Sequence, residues 1–559
     1  MKRYLFISYF LLLISYVATA QPLNKKEKFT RQDTLRGSIG PERAWWNVLH
    51  YAISVKPDYN NKTIEGSSTI RFNVIKPGKK MQIDLQEPMQ VDKILYNQSS
   101  LKYTREGNVY WVNFPRKLKT NTNQSITINF SGKPREAINP PWDGGWIWKK
   151  DDNGNPWMSV ACQGLGASVW YPCKDHQSDE PDSGATIRMT VPDTLMAIAN
   201  GRLSFKTFND DKTASYTWAV VNPINNYNII PYIGKYFNWS EVYEGEKGKL
   251  DVNYWFLQCD EQKARQHMPG ATDSMLKAHE YWFGPYPFYE DGFKFVQSPH
   301  LGMEHQSATA YGNEFKYGYL GNDIAGNGLG LKYDYIIVHE SGHEWFANNI
   351  TTKDIADLWV HEGITNYSEA LYLDYYFGKP VADKFIAGLR GRIKNKFTII
   401  GQYGVNKEAK GDMYSKGATL MHTIREVIDN DSLFRNILRG LNKKFYHQTV
   451  TTKQIEEYIT VNGGNDFSKV FDQYLRTTQI PVLEYFISNE NGQQLLNYRW
   501  TNCVKGFNMP VKLPAGNGKM GYFLAKENWQ KFKANFLNAD DLKEEMFDKN
   551  FYVEYKKVK

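Results

Sequence analysis

The residues with the clearest chemical meaning form the string HESGH at positions 339–343, followed by Glu362 after 18 intervening residues. On a helix, His339 and His343 would project from the same face, so both imidazoles could bind one metal ion. Glu362 as a third ligand leaves the fourth coordination position to water, as in a catalytic zinc site. Glu340 is then placed to take a proton from that water. The spacing predicts one zinc ion per chain and a hydrolase.

The HESGH string alone fits an amphipathic helix with solvated or core histidines equally well. Its surroundings favour the metal, because the apolar run 335–338 precedes it and Trp345 and Phe346 follow it. A helix this apolar is expected to be buried, and burying two histidines and two glutamates without a partner is costly. A metal ion supplies that partner.

Length and composition set the broad class of the protein. The chain has 559 residues, of which 41% are hydrophobic and 15% aromatic. These values predict two to four packed globular domains and exclude a disordered chain. The net charge of +8 is small for this length, and the sequence has no long basic block. Nucleic acid is therefore not an expected partner.

The beginning of the chain has the composition of an export signal. Lys2 and Arg3 precede an apolar run at 4–17, and small residues at 18–20 provide a cleavage site. The apolar run is shorter than the roughly 20 residues that a membrane-spanning helix needs. We expect a signal peptide over residues 1–20 and an exported protein, periplasmic or secreted, without a membrane span.

The cysteines give little information about function. The chain has four of them, at Cys162, Cys173, Cys259 and Cys503, too few for a disulfide framework. None has the CxxC spacing of a cysteine-based metal site. Cys162 and Cys173 could form a disulfide, but free buried thiols are the preferred interpretation.

Changes in residue pattern predict the domain organisation. Residues 21–43 are polar and indicate a flexible arm, whereas residues 44–242 contain many strand-like segments and predict an antiparallel β domain. Helical patterns dominate residues 243–482, the expected catalytic domain, and strand patterns return in residues 483–559 as a small β-sandwich. The individual helices are predicted at 262–283, around the HESGH string, and at 362–377, 382–397, 415–429 and 452–461.

The sequence around the third ligand candidate resembles a known family. HESGH, 18 residues, and then Glu362 within LWVHEGITNY is similar to the zinc aminopeptidases that include aminopeptidase N and the bifunctional leukotriene hydrolase-aminopeptidases. The resemblance implies a thermolysin-like, mainly helical catalytic domain with Glu362 as ligand. His361 stands where the family commonly has Asn and is expected to point away from the metal. The long helical C-terminal domain of larger members is expected to be absent.

The segment 301–306 (LGMEHQ) resembles the exopeptidase motif of the same family. The resemblance implies that Glu304, preceded by Gly302 and Met303, binds the free α-amine of the substrate. The sequence departs from the motif at Leu301 and at His305, which replaces Asn. A surface-loop acid is the alternative for Glu304. His305 could be an extra ligand, a pH-sensitive group or a hydrogen-bonding replacement for Asn.

Three further residues complete the predicted site. The string YSKG at 414–417 resembles the family segment whose tyrosine donates to the oxyanion, which implies that role for Tyr414. Gln163 falls where the family has a Gln or Glu that lines the first substrate pocket. Glu369, which follows Glu362 on the same helix, could orient a ligand histidine or lie on the helix surface.

The function that the resemblance implies is zinc-dependent removal of N-terminal residues from peptides with a free N-terminus. A thermolysin-type zinc endopeptidase is the alternative, because it would share the zinc helix. An epoxide hydrolase side activity and an inactive peptide-binding module are less favoured. The sequence leaves the preferred N-terminal side chain, the physiological substrate and the oligomeric state open.

Overall fold

The computed structural model describes residues 28–516, 519–533 and 546–558. The predicted signal peptide lies outside these ranges. Strands dominate up to residue 257, helices dominate from residue 261, and strands return from residue 482. This order confirms the predicted multidomain α+β class. Across the described ranges, no helix is both long and apolar enough to cross a membrane.

Helix α1 (Arg31–Gly37) lies within the segment that the sequence predicts as a flexible arm. The Thr30 hydroxyl accepts a hydrogen bond from the Asp33 backbone N–H, and the Asp33 carboxylate accepts one from the Thr30 backbone N–H. This reciprocal capping satisfies two amides that the first turn of a helix leaves without partners. The sequence pattern that permits α1 is therefore local and polar.

Polar contacts also attach α1 to both neighbouring domains. Arg36 donates to the Gly164 carbonyl at 3.0 Å, and its Nε atom lies 3.0 Å from the Asp175 carboxylate. On the other side, the Asn406 backbone N–H donates to the Asp33 carbonyl at 3.0 Å. The prediction of a flexible arm is therefore wrong for this helix. That prediction rested on the lack of apolar residues in the segment, whereas ion pairs and backbone hydrogen bonds fix α1 in place.

The N-terminal domain contains three β-sheets. Its strands are β1 (Trp46–Asp58), β2 (Thr63–Val74), β3 (Gly78–Asp84), β4 (Gln90–Tyr96), β5 (Ser99–Ser100), β6 (Lys102–Glu106), β7 (Val109–Leu118), β8 (Asn123–Gly132), β9 (Gly145–Lys150), β10 (Pro156–Ala161), β11 (Ala185–Pro192), β12 (Met196–Ile198), β13 (Arg202–Phe208), β14 (Thr213–Val220) and β15 (Tyr232–Gly234). They form an eight-stranded sheet in the order β13-β14-β11-β1-β2-β8-β4-β5, a four-stranded sheet β12-β15-β10-β9 and a three-stranded sheet β3-β7-β6. Buried and less buried residues alternate along β1 and β2, as expected when one sheet face packs on a core.

Most neighbouring strands of this domain are antiparallel, as predicted, with β1 and β11 the parallel exception in the large sheet. The expected domain boundary at residue 242 falls inside the next strand. That strand, β16 (Tyr236–Gly245), pairs with β17 (Gly248–Leu257), which lies in the sheet of the catalytic domain. A strand pattern alone cannot show which sheet a hairpin joins, so the sequence placed the boundary too late.

The catalytic domain combines a five-stranded sheet with a group of helices. Its remaining strands are β18 (Phe293–Gln297), β19 (Gly302–Met303), β20 (Thr309–Tyr311), β21 (Ile350–Thr352) and β22 (Gln448–Val450). Its helices are α2 (Glu261–Phe283), α3 (Tyr335–Gly342), α4 (Trp359–Phe377), α5 (Lys379–Leu389), α6 (Asp412–Ile428), α7 (Asp431–Lys444), α8 (Thr452–Asn462) and α9 (Ser468–Arg476). The sheet has the order β16-β17-β18-β20-β19, which places β19 at its edge.

The helix predicted at 382–397 is shorter in the structure. Helix α5 ends at Leu389, a single 3-10 turn follows, and the chain then forms a loop. The Asp412 carboxylate accepts hydrogen bonds from the backbone N–H groups of Lys394 and Asn395, at 2.9 and 2.6 Å. Those bonds replace helical ones, and no local pattern in the sequence indicates them.

Helices α4 and α6 touch through two glycines. A Cβ atom placed on Gly363 would lie 2.9 Å from the Gly417 Cα atom, and one placed on Gly417 would lie 2.6 Å from the Gly363 Cα atom. Any side chain larger than hydrogen would force the backbones apart. This contact brings the N-terminal turns of α4 and α6, with Glu362 and Tyr414, to the same region.

The C-terminal strands agree with the predicted small β-sandwich. They are β23 (Val482–Glu490), β24 (Gln493–Thr501), β25 (Pro510–Gly516), β26 (Lys519–Leu524), β27 (Gln530–Lys533) and β28 (Glu554–Lys557). One sheet has the order β27-β24-β23-β28, and a hairpin of β25 and β26 forms the other. The buried apolar residues of these strands belong to the same core as those of the catalytic domain.

Candidate active site

The three predicted metal ligands converge on one point. His339 lies in α3, His343 directly follows that helix, and both Nε2 atoms face the Glu362 carboxylate. Glu362 Oε2 lies 3.6 Å from His339 Nε2 and 3.4 Å from His343 Nε2. All three side chains are buried, and Glu362 Oε2 has no hydrogen-bond partner in the described part of the chain. Two imidazoles and a carboxylate with mutually close donor atoms fit a zinc ion.

Hydrogen bonds to the other ring nitrogens orient both histidines. His339 Nδ1 lies 2.8 Å from Glu369 Oε1, and the Tyr333 hydroxyl donates to the second oxygen of Glu369 at 3.0 Å. His343 Nδ1 lies 3.1 Å from the Phe346 carbonyl. These bonds direct each Nε2 atom toward the metal position. Glu369 is thus a buried orienting group, and the helix-surface alternative is wrong.

The chain leaves regular helical geometry immediately after the second ligand. Residues Glu344–Asn348 form a wide turn, in which Phe346 has φ −128° and ψ 84°. A continuous α-helix would direct the Phe346 carbonyl along the helix axis instead of toward His343. The irregular turn is therefore part of what fixes the second ligand.

Glu340 lies in the same buried site, in contact with the predicted exopeptidase segment. A Cβ atom placed on Gly302 would lie 2.9 Å from Glu340 Oε1 and from Ile336 Cγ2, so a larger residue there would displace the Glu340 side chain. Burial raises the pKa of Glu340 to about 7, against the lowering influence of His339 and His343. Gly302 thus lies directly against the Glu340 side chain.

The charges of the ligands depend on one another. Burial by itself raises the pKa of the Glu362 carboxyl, but His343 and His339 hold that pKa well below its usual range. Burial lowers the pKa of His343, and the Glu362 carboxylate raises it above its ordinary value. The ionised carboxylate and its two histidines therefore stabilise each other within the buried site.

Glu304 is held at the site by two residues of the N-terminal domain. Gln163 Nε2 donates to Glu304 Oε1 at 2.5 Å, and the Tyr227 hydroxyl donates to the same oxygen at 2.9 Å. Gln163 Nε2 also lies 3.3 Å from Glu362 Oε1, which links this group to the metal ligands. Glu304 is only 2% exposed, so the surface-loop alternative is wrong.

The two histidines that depart from the family pattern have structural partners. His305 is fully buried, and its Nδ1 atom lies 2.5 Å from the Tyr232 hydroxyl. It belongs to none of the potential metal-binding groups of the described residues, and burial lowers its pKa well below the ordinary value, so hydrogen bonding is the alternative that the structure favours. His361 accepts a hydrogen bond from the Thr352 backbone N–H at 2.9 Å. His361 therefore points away from the metal, as expected.

Tyr414 lies in the first turn of α6 with its ring 6.1 Å from that of His339 and nearly parallel to it. Burial, followed by the Glu362 charge, raises the pKa of this phenol well above its ordinary value, so it keeps its proton. The nearby Lys416 donates to the Thr477 carbonyl at 2.8 Å and supports the helix rather than the reaction. Tyr414 can thus donate a hydrogen bond where negative charge develops.

The predicted catalytic, metal-binding and substrate-binding residues line one cavity of about 1050 Å³. Residues from both domains form its wall, and the predicted site residues among them are Gln163, Gly302, Met303, Glu304, His339, Glu340, His343, Glu362 and Tyr414. The sequence missed Tyr227, the second donor to Glu304, because nothing local distinguishes it among 37 tyrosines. Cys162 and Cys173 lie elsewhere as free buried thiols, as preferred from the sequence.

Comparison with known families agrees with this geometry. The family description "Peptidase M1 N-terminal domain" matches residues 47–227, and "Peptidase family M1 domain" matches residues 271–474. Together the two matches span well over half of the chain. The fold and the three-ligand site are of the metallopeptidase type. More specifically, the chain belongs to peptidase family M1.

Curated relatives and solved structures extend the comparison. The chain is 20% identical over 521 residues to probable aminopeptidase 1 of Sulfurisphaera tokodaii, covering 88% of this chain and 61% of the relative. It is 19% identical over 499 residues to leukotriene A-4 hydrolase of Xenopus laevis, covering 83% of this chain and 77% of the relative. The chain thus spans less than two thirds of the first relative.

The M1 zinc metallopeptidase from Deinococcus radiodurans has the same fold, with a TM-score of 0.63 and 20% sequence identity. The match covers 75% of this chain and 90% of that protein. A mutant of that metallopeptidase bound to a Tyr-Ser-Ala substrate matches with a TM-score of 0.65 over 78% of this chain and 95% of the other. At this level of identity the likeness establishes the fold alone.

Proposed function

We propose that this protein is a zinc-dependent aminopeptidase that hydrolyses the N-terminal peptide bond of peptides. The observation that carries the proposal is the position of Glu304, which Gln163 and Tyr227 hold beside the metal ligands. A fixed carboxylate forms a charge-assisted hydrogen bond with the ammonium group of a free N-terminus. Binding there places the first peptide bond at the metal and excludes longer N-terminal extensions.

The zinc ion would be held by His339, His343 and Glu362. When bound, it supplies a Lewis acid that polarises the scissile carbonyl and lowers the pKa of water toward 7. Glu340 takes the proton from the attacking water and delivers it to the leaving amine. Tyr414 donates its phenolic hydrogen bond to the oxygen on which negative charge develops.

A panel of fluorogenic aminoacyl substrates tests this function, each with and without an N-acetyl block. We expect release from the free-amine form only, since acetylation removes the charge that Glu304 binds. A zinc chelator should abolish release, and added zinc should restore it. Comparable cleavage of acetylated peptides would instead support the thermolysin-type endopeptidase.

We further propose that the protein is exported and acts in the periplasm or outside the cell. The support is the basic start, the apolar run at 4–17 and the small residues at 18–20. N-terminal sequencing of the protein recovered from its native compartment should begin at Gln21. A mature chain that begins at Met1 in the cytoplasm would contradict export.

A further inference from the structure

Four cationic side chains line the active-site cavity in addition to the predicted site residues. Arg392, Lys394 and Lys396 lie on the loop that follows α5, and Lys410 lies just before α6. We call these four residues the cationic wall. All of them come from the catalytic domain, whereas the groups that hold Glu304 come from the N-terminal domain. The cavity is thus lined by four cations in addition to the carboxylates of the predicted site.

The loop that carries three of these cations is attached to the helix that carries Tyr414. The Asp412 carboxylate accepts from the backbone N–H groups of Lys394 and Asn395, at 2.9 and 2.6 Å. The Asn395 side chain donates to the Tyr552 hydroxyl at 2.9 Å. Because Asp412 is two residues before Tyr414, these bonds hold the cationic wall next to the reaction centre.

The side chains of the cationic wall have no anionic partners. Within the described ranges, none of the four lies within 4.0 Å of a carboxylate, and Lys410 instead lies over the Phe397 ring at 5.6 Å. Lys379 and Arg425 of the same domain are paired, with Asp383 and with Asp374 and Asp431 respectively, whereas some exposed lysines outside the cavity, such as Lys443, have no such partner among the described residues. Unpaired cations that face one cavity attract an anion into it.

The other carboxylates that line the cavity make no direct ion pair with the wall among the described residues. Glu408, which also lines the cavity, lies against Gly164 of the N-terminal domain. Asp412 is engaged by the backbone of the loop, and Asp323 accepts hydrogen bonds from the N–H groups of Ala325, Gly328 and Gly330. Both carboxylates therefore serve to shape loops. A ligand carboxylate would therefore displace no direct ion pair when it contacts the wall.

We infer that the cationic wall binds a substrate carboxylate located beyond the cleaved bond. The inference rests on the proposed function: Glu304 binds the amine, so the peptide runs from there past the metal ligands and Tyr414 to the wall. The carboxylate is either the C-terminus of a short peptide or an acidic side chain. A cavity of about 1050 Å³ is large enough for a short peptide. The cleft is thus polarised in the same direction as a zwitterionic peptide.

Three tripeptides that share their first two residues test this inference. They end in Ala with a free carboxylate, in Ala amide and in Glu amide, and kcat/KM for release of the first residue is measured for each. We expect the wild-type enzyme to prefer the free acid over Ala amide by about five- to tenfold, decreasing as NaCl is raised. Faster cleavage of Glu amide than of Ala amide would show that side-chain carboxylates are also bound. Equal rates for all three peptides would overturn the inference.

Variants show whether the cationic wall causes the preference for the free-acid tripeptide. In the fourfold variant R392Q/K394Q/K396Q/K410Q, kcat/KM for the free acid should come to within about twofold of kcat/KM for the Ala amide. Lys443→Gln, an exposed α7 residue outside the cavity, is the matched control and should keep the wild-type ratio. Zinc content and thermal unfolding verify that each variant is folded. A preference that persists in the fourfold variant would also overturn the inference. Absence of N-terminal release from every peptide and anilide would instead contradict the proposed function.

Discussion

The metal-ligand site and the proposed amine site around Glu304, called the amine site below, are adjacent in space but are built in different ways. His339, His343 and Glu362 all belong to the catalytic domain and lie within a short stretch of chain. Glu304 is also in the catalytic domain, but its hydrogen-bond donors are Gln163 and Tyr227 of the N-terminal domain. The metal site is therefore local, whereas the amine site exists only when the two domains are packed together.

This difference separates the chemistry of the reaction from the choice of substrate. A change in the metal region should alter the chemical step for every substrate. A change at the domain interface should alter how well a free amine is bound, and leave the metal in place. Each of the following substitutions tests that separation, beginning with the largest expected effect.

Glu340→Gln removes the proton acceptor and preserves the shape of the side chain. We expect kcat to fall about 1,000-fold for all substrates, because general-base catalysis is lost. Zinc content should stay at one ion per chain, since the three ligands are unchanged. Kinetics on aminoacyl anilides and metal analysis by mass spectrometry provide the two measurements. Near-normal turnover with full zinc would refute the assigned role.

Glu304→Gln removes the negative charge of the amine site. We expect kcat/KM for free-amine substrates to fall about 10- to 100-fold, because a charge-assisted hydrogen bond becomes a neutral one. Zinc content should again be unchanged. Measurement of kcat/KM over a series of N-terminal residues shows whether the loss is common to all of them.

Tyr227→Phe is the graded control for Glu304, since it removes one hydrogen bond and keeps the charge. We expect kcat/KM to fall several-fold, mainly because KM rises. If Tyr227→Phe reduced kcat as strongly as Glu340→Gln, the separation between the two sites would be wrong.

Arg36→Met tests whether α1 positions the amine site from a distance. Arg36 contacts the Gly164 carbonyl next to Gln163, and it pairs with Asp175, whose side chain is 4% exposed. We expect KM to rise about two- to threefold with kcat nearly unchanged. The free energy of unfolding should fall by about 1–3 kcal/mol, because Asp175 loses a partner. Steady-state kinetics and denaturant unfolding measure the two effects.

Arg31→Met is the matched control in the same helix. Arg31 pairs with Glu106 at the surface, where its side chain is 68% exposed. We therefore expect no measurable change in KM or in the free energy of unfolding. Equal effects of the two arginine substitutions would show that α1 contributes only general stability.

The sequence predicts the metal site, which is local in the chain, better than the amine site, which two domains form together. HESGH and Glu362 could be read because ligand spacing on helices is local geometry. Glu304 and Tyr414 required the family resemblance, and Glu369 had two open interpretations until its contact with His339 was seen. Tyr227, α1 and the loop after α5 could not be predicted, because contacts between distant parts of the chain determine them.

The glycine contact between α4 and α6 has a mechanical consequence. With Gly363 against Gly417, no side chain separates the two helices, so Glu362 and Tyr414 must move as one rigid body. A hinge motion between this body and the N-terminal domain would open the cleft without separating Glu362 from Tyr414. Such a motion would pull Gln163 and Tyr227 away from Glu304 while the zinc ligands stay together. Substrate entry and product release would then be controlled at the end of the cleft that recognises the amine.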